Sequence, residues 1–124
     1  MQTILVVDDE PLVLKLCSNV LVAAGYQVLP APEANTALEI CRKAEAPPHL
    51  ALLDVILPGM SGPELADYLE GLGVAKTMLM SGYPERELLR QLGYELPKHR
   101  RFMTKPFTTE ILLRSVREAL AEHA

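Results

Sequence analysis

At four places in this 124-residue chain, a chemically competent polar group stands directly after a short, mostly apolar run. Asp8-Asp9 follows Ile4-Leu5-Val6-Val7, and Asp54 follows Leu50-Ala51-Leu52-Leu53. Ser81 follows Met78-Leu79-Met80, and Lys105 follows Arg101 to Thr104. If one fold brings these places together, three carboxylates, a hydroxyl and an ammonium share one rim. Three converging carboxylates repel, so protons or a cation must neutralise them. A hard divalent cation suits an all-oxygen site, and Mg²⁺ takes only one or two carboxylates while keeping several waters. One carboxylate then stays free to attack phosphorus, with the metal offsetting charge on the phosphoryl oxygens. Lys105 could add a second positive charge as a point contact, and Ser81 could donate a hydrogen bond to a phosphoryl oxygen. Singly, each piece is ordinary: an Asp-Asp pair is a solvated turn or helix cap, Ser-Gly a turn, and Lys-Pro a rigid loop. Their conjunction at strand ends carries the reading.

Continuous apolar runs, rather than alternating ones, mark strands covered on both faces, as in parallel sheets. Ile4–Val7, Leu50–Leu53 and Met78–Met80 fit that description. Gln27–Leu29 is a weaker strand, and the more polar Arg101–Thr104 belongs at an edge. Between them, Val13, Leu16, Cys17, Val20, Leu21 and Ala24 follow helical spacing, with Pro11 in the first turn and Gly25 as the stop. Ala34, Ala37, Leu38 and Cys41 mark a second helix, ended before Pro47-Pro48. Ser61 and Glu64 form a capping box for a helix bearing Leu65, Leu69 and Leu72. A short helix carries Leu88, Leu89 and Leu92, and a last one after Thr108 buries Leu112, Leu113, Val116, Ala119 and Leu120. The result is five βα repeats: an α/β fold with helices on both faces of one parallel sheet. In such folds ligands bind outside the carboxyl ends of the strands, where the polar groups stand. Gly93–Arg101 is a longer, irregular connection.

The composition suits one domain over residues 1–124, with 49% hydrophobic residues and no Trp. A net charge of −4 argues against a direct nucleic-acid contact. The cluster Lys98-His99-Arg100-Arg101 reads as a solvated loop before a strand, with docking of an acidic partner as the alternative. Cys17 and Cys41 suit reduced thiols on apolar helix faces, not a disulfide framework or zinc site. No apolar run is long enough for a signal peptide or membrane span, so no membrane contact is expected and the cytoplasm is the expected compartment.

With these residues in view, the chain resembles the response-regulator receiver family of two-component signalling (CheY-like). The likeness runs from Ile4-Leu5-Val6-Val7-Asp8-Asp9-Glu10-Pro11 through Leu53-Asp54-Val55-Ile56-Leu57-Pro58-Gly59-Met60-Ser61-Gly62, Met80-Ser81-Gly82-Tyr83 and Lys105-Pro106-Phe107 to the last helix. The resemblance implies a three-layer, doubly wound, flavodoxin-like sheet of order 2-1-3-4-5. It implies that Asp54 is the phospho-acceptor. The implied metal is Mg²⁺ or Mn²⁺, held by Asp9, Asp54 and the Ile56 backbone carbonyl, with Asp8 acting through water. Ser81 matches the switch hydroxyl and Lys105 the phosphate-contacting lysine. Phe102 matches the aromatic that turns inward on activation; an edge-strand aromatic without that role is the alternative. The implied partner is a histidine kinase or histidine phosphotransfer domain, and the module is expected to be a monomer or weak dimer. Its texture is similar to receivers of hybrid histidine kinases, and no output domain is expected in this chain.

Departures are modest. Phe replaces the often-seen Tyr at the switch aromatic. Ile56 and Tyr83 are bulky where the family controls access of hydrolytic water, which implies slow autodephosphorylation. The expected mechanism is phosphoryl transfer from phosphohistidine to Asp54, movement of Ser81 towards the new group, inward rotation of Phe102, and reset by hydrolysis. The module assists its own modification without turning over a free substrate. A metal-dependent phosphatase with Asp54 as nucleophile is one rival, but it would need a second acid where Ile56 stands. A non-phosphorylated pseudo-receiver would lack one of the key groups, and none is missing. A flavin or nucleotide protein would need a glycine-rich loop after the first strand, and none follows it.

Overall fold

The computed structural model describes residues 1–121, except for the side chains of Tyr83 and Glu85. The elements in chain order are β1 (Thr3–Val7), α1 (Pro11–Ala23), β2 (Gln27–Ala31), α2 (Ala34–Lys43), β3 (Leu50–Asp54), β4 (Ile56–Leu57), β5 (Met60–Ser61), α3 (Gly62–Gly71), β6 (Lys76–Ser81), α4 (Tyr83–Gln91), β7 (Arg101–Thr104) and α5 (Thr109–Ala121). The main sheet is wholly parallel, in the order β2-β1-β3-β6-β7. Counting parallel strands alone, this is the expected 2-1-3-4-5. The weaker strands, β2 and β7, are the two edges. Pro30 pairs with Val6 within β2, a placement an edge strand tolerates.

Strand alternation divides the apolar residues between two layers. Leu5, Val7, Ala51, Leu53 and Leu79 pack with Ala37, Leu38, Leu65 and Leu69 of α2 and α3. Ile4, Val6, Leu50, Leu52, Met78 and Met80 pack with Cys17, Leu21, Leu112 and Val116 of α1 and α5. Both faces are thus covered, which is why the runs read as continuous apolar sequence.

The helix ends follow local chemistry. Ser61 Oγ accepts from the Glu64 amide at 3.2 Å, the N-cap half of the expected capping box, and the Glu64 carboxylate meets the Ser61 hydroxyl, which donates to Oε1 at 3.2 Å. Gly25, at φ 99°, provides the left-handed stop after α1. Gly62, the first residue of α3, lies hard against β3: a Cβ there would come within 2.3 Å of the Asp54 carbonyl oxygen.

Three expectations need correction. Leu16 does not join the core; it is 53% exposed beside the 83%-exposed Leu12. Helical spacing selects a stripe of α1 wider than the sheet can cover. The Asp54–α3 connection also contains a small antiparallel hairpin, β4–β5, turning at Pro58-Gly59 with Gly59 at φ 79°. Finally, Arg100 is not solvated; it is 3% exposed. Its guanidinium donates to Glu70 (2.8 Å) and Asp67 (3.0 Å) on α3, to Thr77 Oγ1 (3.0 Å) on β6 and to Tyr94 Oη (3.1 Å). Burial opposes charge on Arg100, yet these partners raise its pKa further. Burial likewise opposes charge on Glu70, but hydrogen bonds from Arg100, Thr77 and His99 hold its carboxyl below the usual range.

Three substitutions follow. Arg100→Met should cost about 2–4 kcal/mol in urea unfolding, because Glu70 and Thr77 lose a buried partner. Gly62→Ala should cost about 1–3 kcal/mol, because α3 must back away from β3. Lys98→Met, on the exposed part of the same loop, should stay within about 0.5 kcal/mol of wild type.

Candidate functional site at the carboxyl ends of the strands

β1 and β3 are neighbours in register, Val7 opposite Leu53, so Asp8 and Asp54 emerge side by side. Asp8 is fully buried, Asp54 is partly buried and Asp9 is exposed. One oxygen from each of the three carboxylates lies within 4.8 Å of the others. Lys105 bridges two of them, its Nζ donating to Asp8 Oδ2 at 2.9 Å and to Asp54 Oδ1 at 3.1 Å. The Lys105 amide donates to the Ser81 carbonyl at 2.8 Å, which fixes where the side chain departs from β7. Asp8 is oriented by the Glu10 amide, which donates to Oδ1 at 2.9 Å. Sequence reading left Glu10 aside, although an Asp followed two residues later by a loop amide is the pattern of an Asx turn.

The electrostatics follow from the geometry. The carboxyl of Asp54 is pushed up to about 6, chiefly by burial and next by the Asp8 charge, against the pull of Lys105. Burial opposes the charge on Lys105, but its bonds to Asp8 and the field of Asp54 keep it protonated. One ammonium cannot balance three carboxylates, so the cluster retains an excess of negative charge. An all-oxygen donor set with unbalanced negative charge fits a hard divalent cation.

Alternation separates the remaining candidates. Ser81 and Phe102 lie on the α3–α4 side, opposite the side of Met78, Met80 and Met103. Ser81 is buried, and its hydroxyl donates to the Gly82 carbonyl at 3.2 Å. It stands one residue past Met80, which pairs with Asp54, so it shares the rim. Phe102 lies below the rim opposite Leu79, partly buried against the core layer that holds Leu79. Ile56, two residues beyond Asp54, is 51% exposed in the hairpin. The Tyr83 side chain lies outside the described residues. Cys17 and Cys41 are both free. Among the described residues, no helix is long and apolar enough to cross a membrane.

Known proteins give a consistent picture. The sequence profile of the response regulator receiver domain matches residues 4–117. The alkaline phosphatase synthesis transcriptional regulatory protein PhoP of Bacillus subtilis is 38% identical over 106 residues, covering 85% of this chain and 42% of its own. The transcriptional regulatory protein KdpE of Mycobacterium tuberculosis is 32% identical, covering 97% of this chain and 51% of its own. The chain thus spans about half the length of these relatives. Among solved structures, the receiver domain of the hybrid histidine kinase CckA superposes with a TM-score of 0.78 at 33% identity, covering 95% of this chain and 98% of that one. Sequence profile, relatives and fold agree: the chain belongs to the response regulator receiver domain family.

Proposed function

We propose that Asp54 accepts a phosphoryl group from a phosphohistidine on a histidine kinase or phosphotransfer domain. The observation that carries this reading is the convergence of Asp8, Asp9 and Asp54 within 4.8 Å, with Lys105 joining Asp8 to Asp54. Asp9, Asp54 and the Ile56 carbonyl would hold Mg²⁺ or Mn²⁺, with Asp8 acting through water. Bound there, the cation would offset negative charge on the transferring oxygens.

The protein's own groups do the rest. A carboxylate oxygen of Asp54 forms a P–O bond as the P–N bond to the donor imidazole breaks; the imidazole keeps that electron pair and takes up a proton. Lys105, already on Asp54 Oδ1, orients the nucleophile and stays within reach of the incoming phosphoryl oxygens. Ser81 supplies a hydroxyl from the adjacent strand end, and Phe102 responds behind it. An apolar shelf of Val13, Leu16, Pro106 and Phe107 adjoins Lys105, which suits a donor helix presenting its histidine to the rim. This use accounts for the exposed Leu16. Steady phosphatase turnover is disfavoured because Ile56 stands where a second acid would be needed.

Incubation with acetyl phosphate and Mg²⁺ should give one phosphoryl adduct by intact mass. The adduct should be absent without divalent metal and in Asp54→Asn; one that persists in Asp54→Asn would place the acceptor elsewhere. Ile56→Asn should shorten the adduct lifetime severalfold by admitting water beside Asp54, and an unchanged lifetime would count against shielding.

A pH dependence follows from Asp54. Its folded pKa of about 6 lies above the ordinary 3.8. Between these values the folded state keeps a proton that the unfolded chain has lost. Stability from this group is therefore present below about pH 4 and lost as pH rises towards 6. A cation bound to the ionised cluster restores it. MgCl₂ should raise the melting temperature more at pH 7.5 than at pH 5, and much less in Asp54→Asn. Equal shifts at both pH values would overturn the assignment.

A further inference from the structure

Arg86, on the first turn of α4, shares a hydrogen-bond acceptor with one half of the proposed switch and stacks on the other. Its backbone amide donates to the Gly82 carbonyl at 3.1 Å. The Ser81 hydroxyl donates to the same carbonyl at 3.2 Å. Its guanidinium carbon lies 4.7 Å from the centroid of the Phe102 ring, a cation–π distance. The ring also packs against the core layer that includes Leu79. The Gly82 carbonyl and Arg86 together therefore link the hydroxyl at the rim to the aromatic below it.

We propose that Arg86 is a positioning residue that latches Phe102 in its ligand-free place and is loosened when Ser81 turns to the phosphoryl group. This rests on the phospho-acceptor reading of Asp54. When the Ser81 hydroxyl leaves for a phosphoryl oxygen, the Gly82 carbonyl keeps only the Arg86 amide of these two donors. The Gly82 peptide, which starts the first turn of α4, is then free to reorient without the Ser81 hydroxyl bond. Because the guanidinium rides on that turn, its stacking on Phe102 changes with the turn's position. The coupling is reciprocal: a ring held by Arg86 resists capture of Ser81, and a captured Ser81 weakens the hold on the ring.

Two measurements test the latch. In the metal-free wild-type protein, NMR should show Arg86 side-chain protons shifted upfield by the Phe102 ring, and Phe102→Leu should abolish the shift. Binding of beryllofluoride with Mg²⁺, a mimic of the aspartyl phosphate, should tighten about two- to fivefold in Arg86→Met. Arg86→Lys should restore wild-type binding, and Arg86→Met should have no effect in a Phe102→Leu background. Absence of the upfield shift overturns the latch. So does wild-type affinity in Arg86→Met, or an Arg86→Met effect that persists without the ring. Wild-type binding that is absent, or that survives Asp54→Asn, overturns the phospho-acceptor reading, and the latch with it, whatever the Arg86 variants do.

Discussion

Like charges forced together at the ends of β1 and β3 are the constraint around which the molecule is arranged. Parallel pairing of neighbouring strands brings Asp8 and Asp54 side by side, and burial cuts Asp8 off from water and limits solvent access to Asp54. The relief within the chain comes from β7, the far edge of the sheet, whose Lys105 reaches back to both carboxylates. That reach needs β6 between them, with the Ser81 carbonyl holding the Lys105 amide. Strand order is thus an electrostatic requirement as well as a packing outcome. The remaining excess of negative charge is what the proposed cation would offset.

The two walls of the rim differ mechanically. On one side α3 starts in contact with β3 at Gly62, is capped by Ser61, and is tied lower down by Arg100 to β6 and to the segment after α4. On the other side α4 follows Gly82 without a side-chain cap, and Leu88 on the helix and Leu92 at its end are exposed to solvent. The wall beside Asp54 is thus tied at more points than the wall beside Ser81, an asymmetry that the proposed switch would use.

Much of this was legible in the sequence, for identifiable reasons. Buried parallel strands announce themselves as unbroken apolar runs, and the acidic residues and Lys105 were found because strand ends are marked by where those runs stop. Neighbour relations between strands are not encoded in the runs; the order came from the family resemblance. Two-residue strands have no periodicity, so the β4–β5 hairpin was missed even though Pro58-Gly59 marks its turn. Leu16 failed because spacing cannot say how wide a helix stripe the sheet covers. Arg100 failed because its partners, from Asp67 to Tyr94, come together only in the folded chain, whereas its sequence neighbours look solvent-loving. Arg86 carried no signal, being one charge among several on a polar helix.

Pro30 has a consequence for assembly. Gln27 donates its amide to Gln2 and Ala31 accepts from Asp8, so these residues face β1, and by alternation Val28 and Pro30 face outward. The free margin of the sheet therefore presents, at Pro30, a backbone nitrogen with no hydrogen to give. A foreign strand cannot complete a regular ladder there. Growth of the sheet by edge-to-edge addition, the route to fibrils, is blunted at this margin.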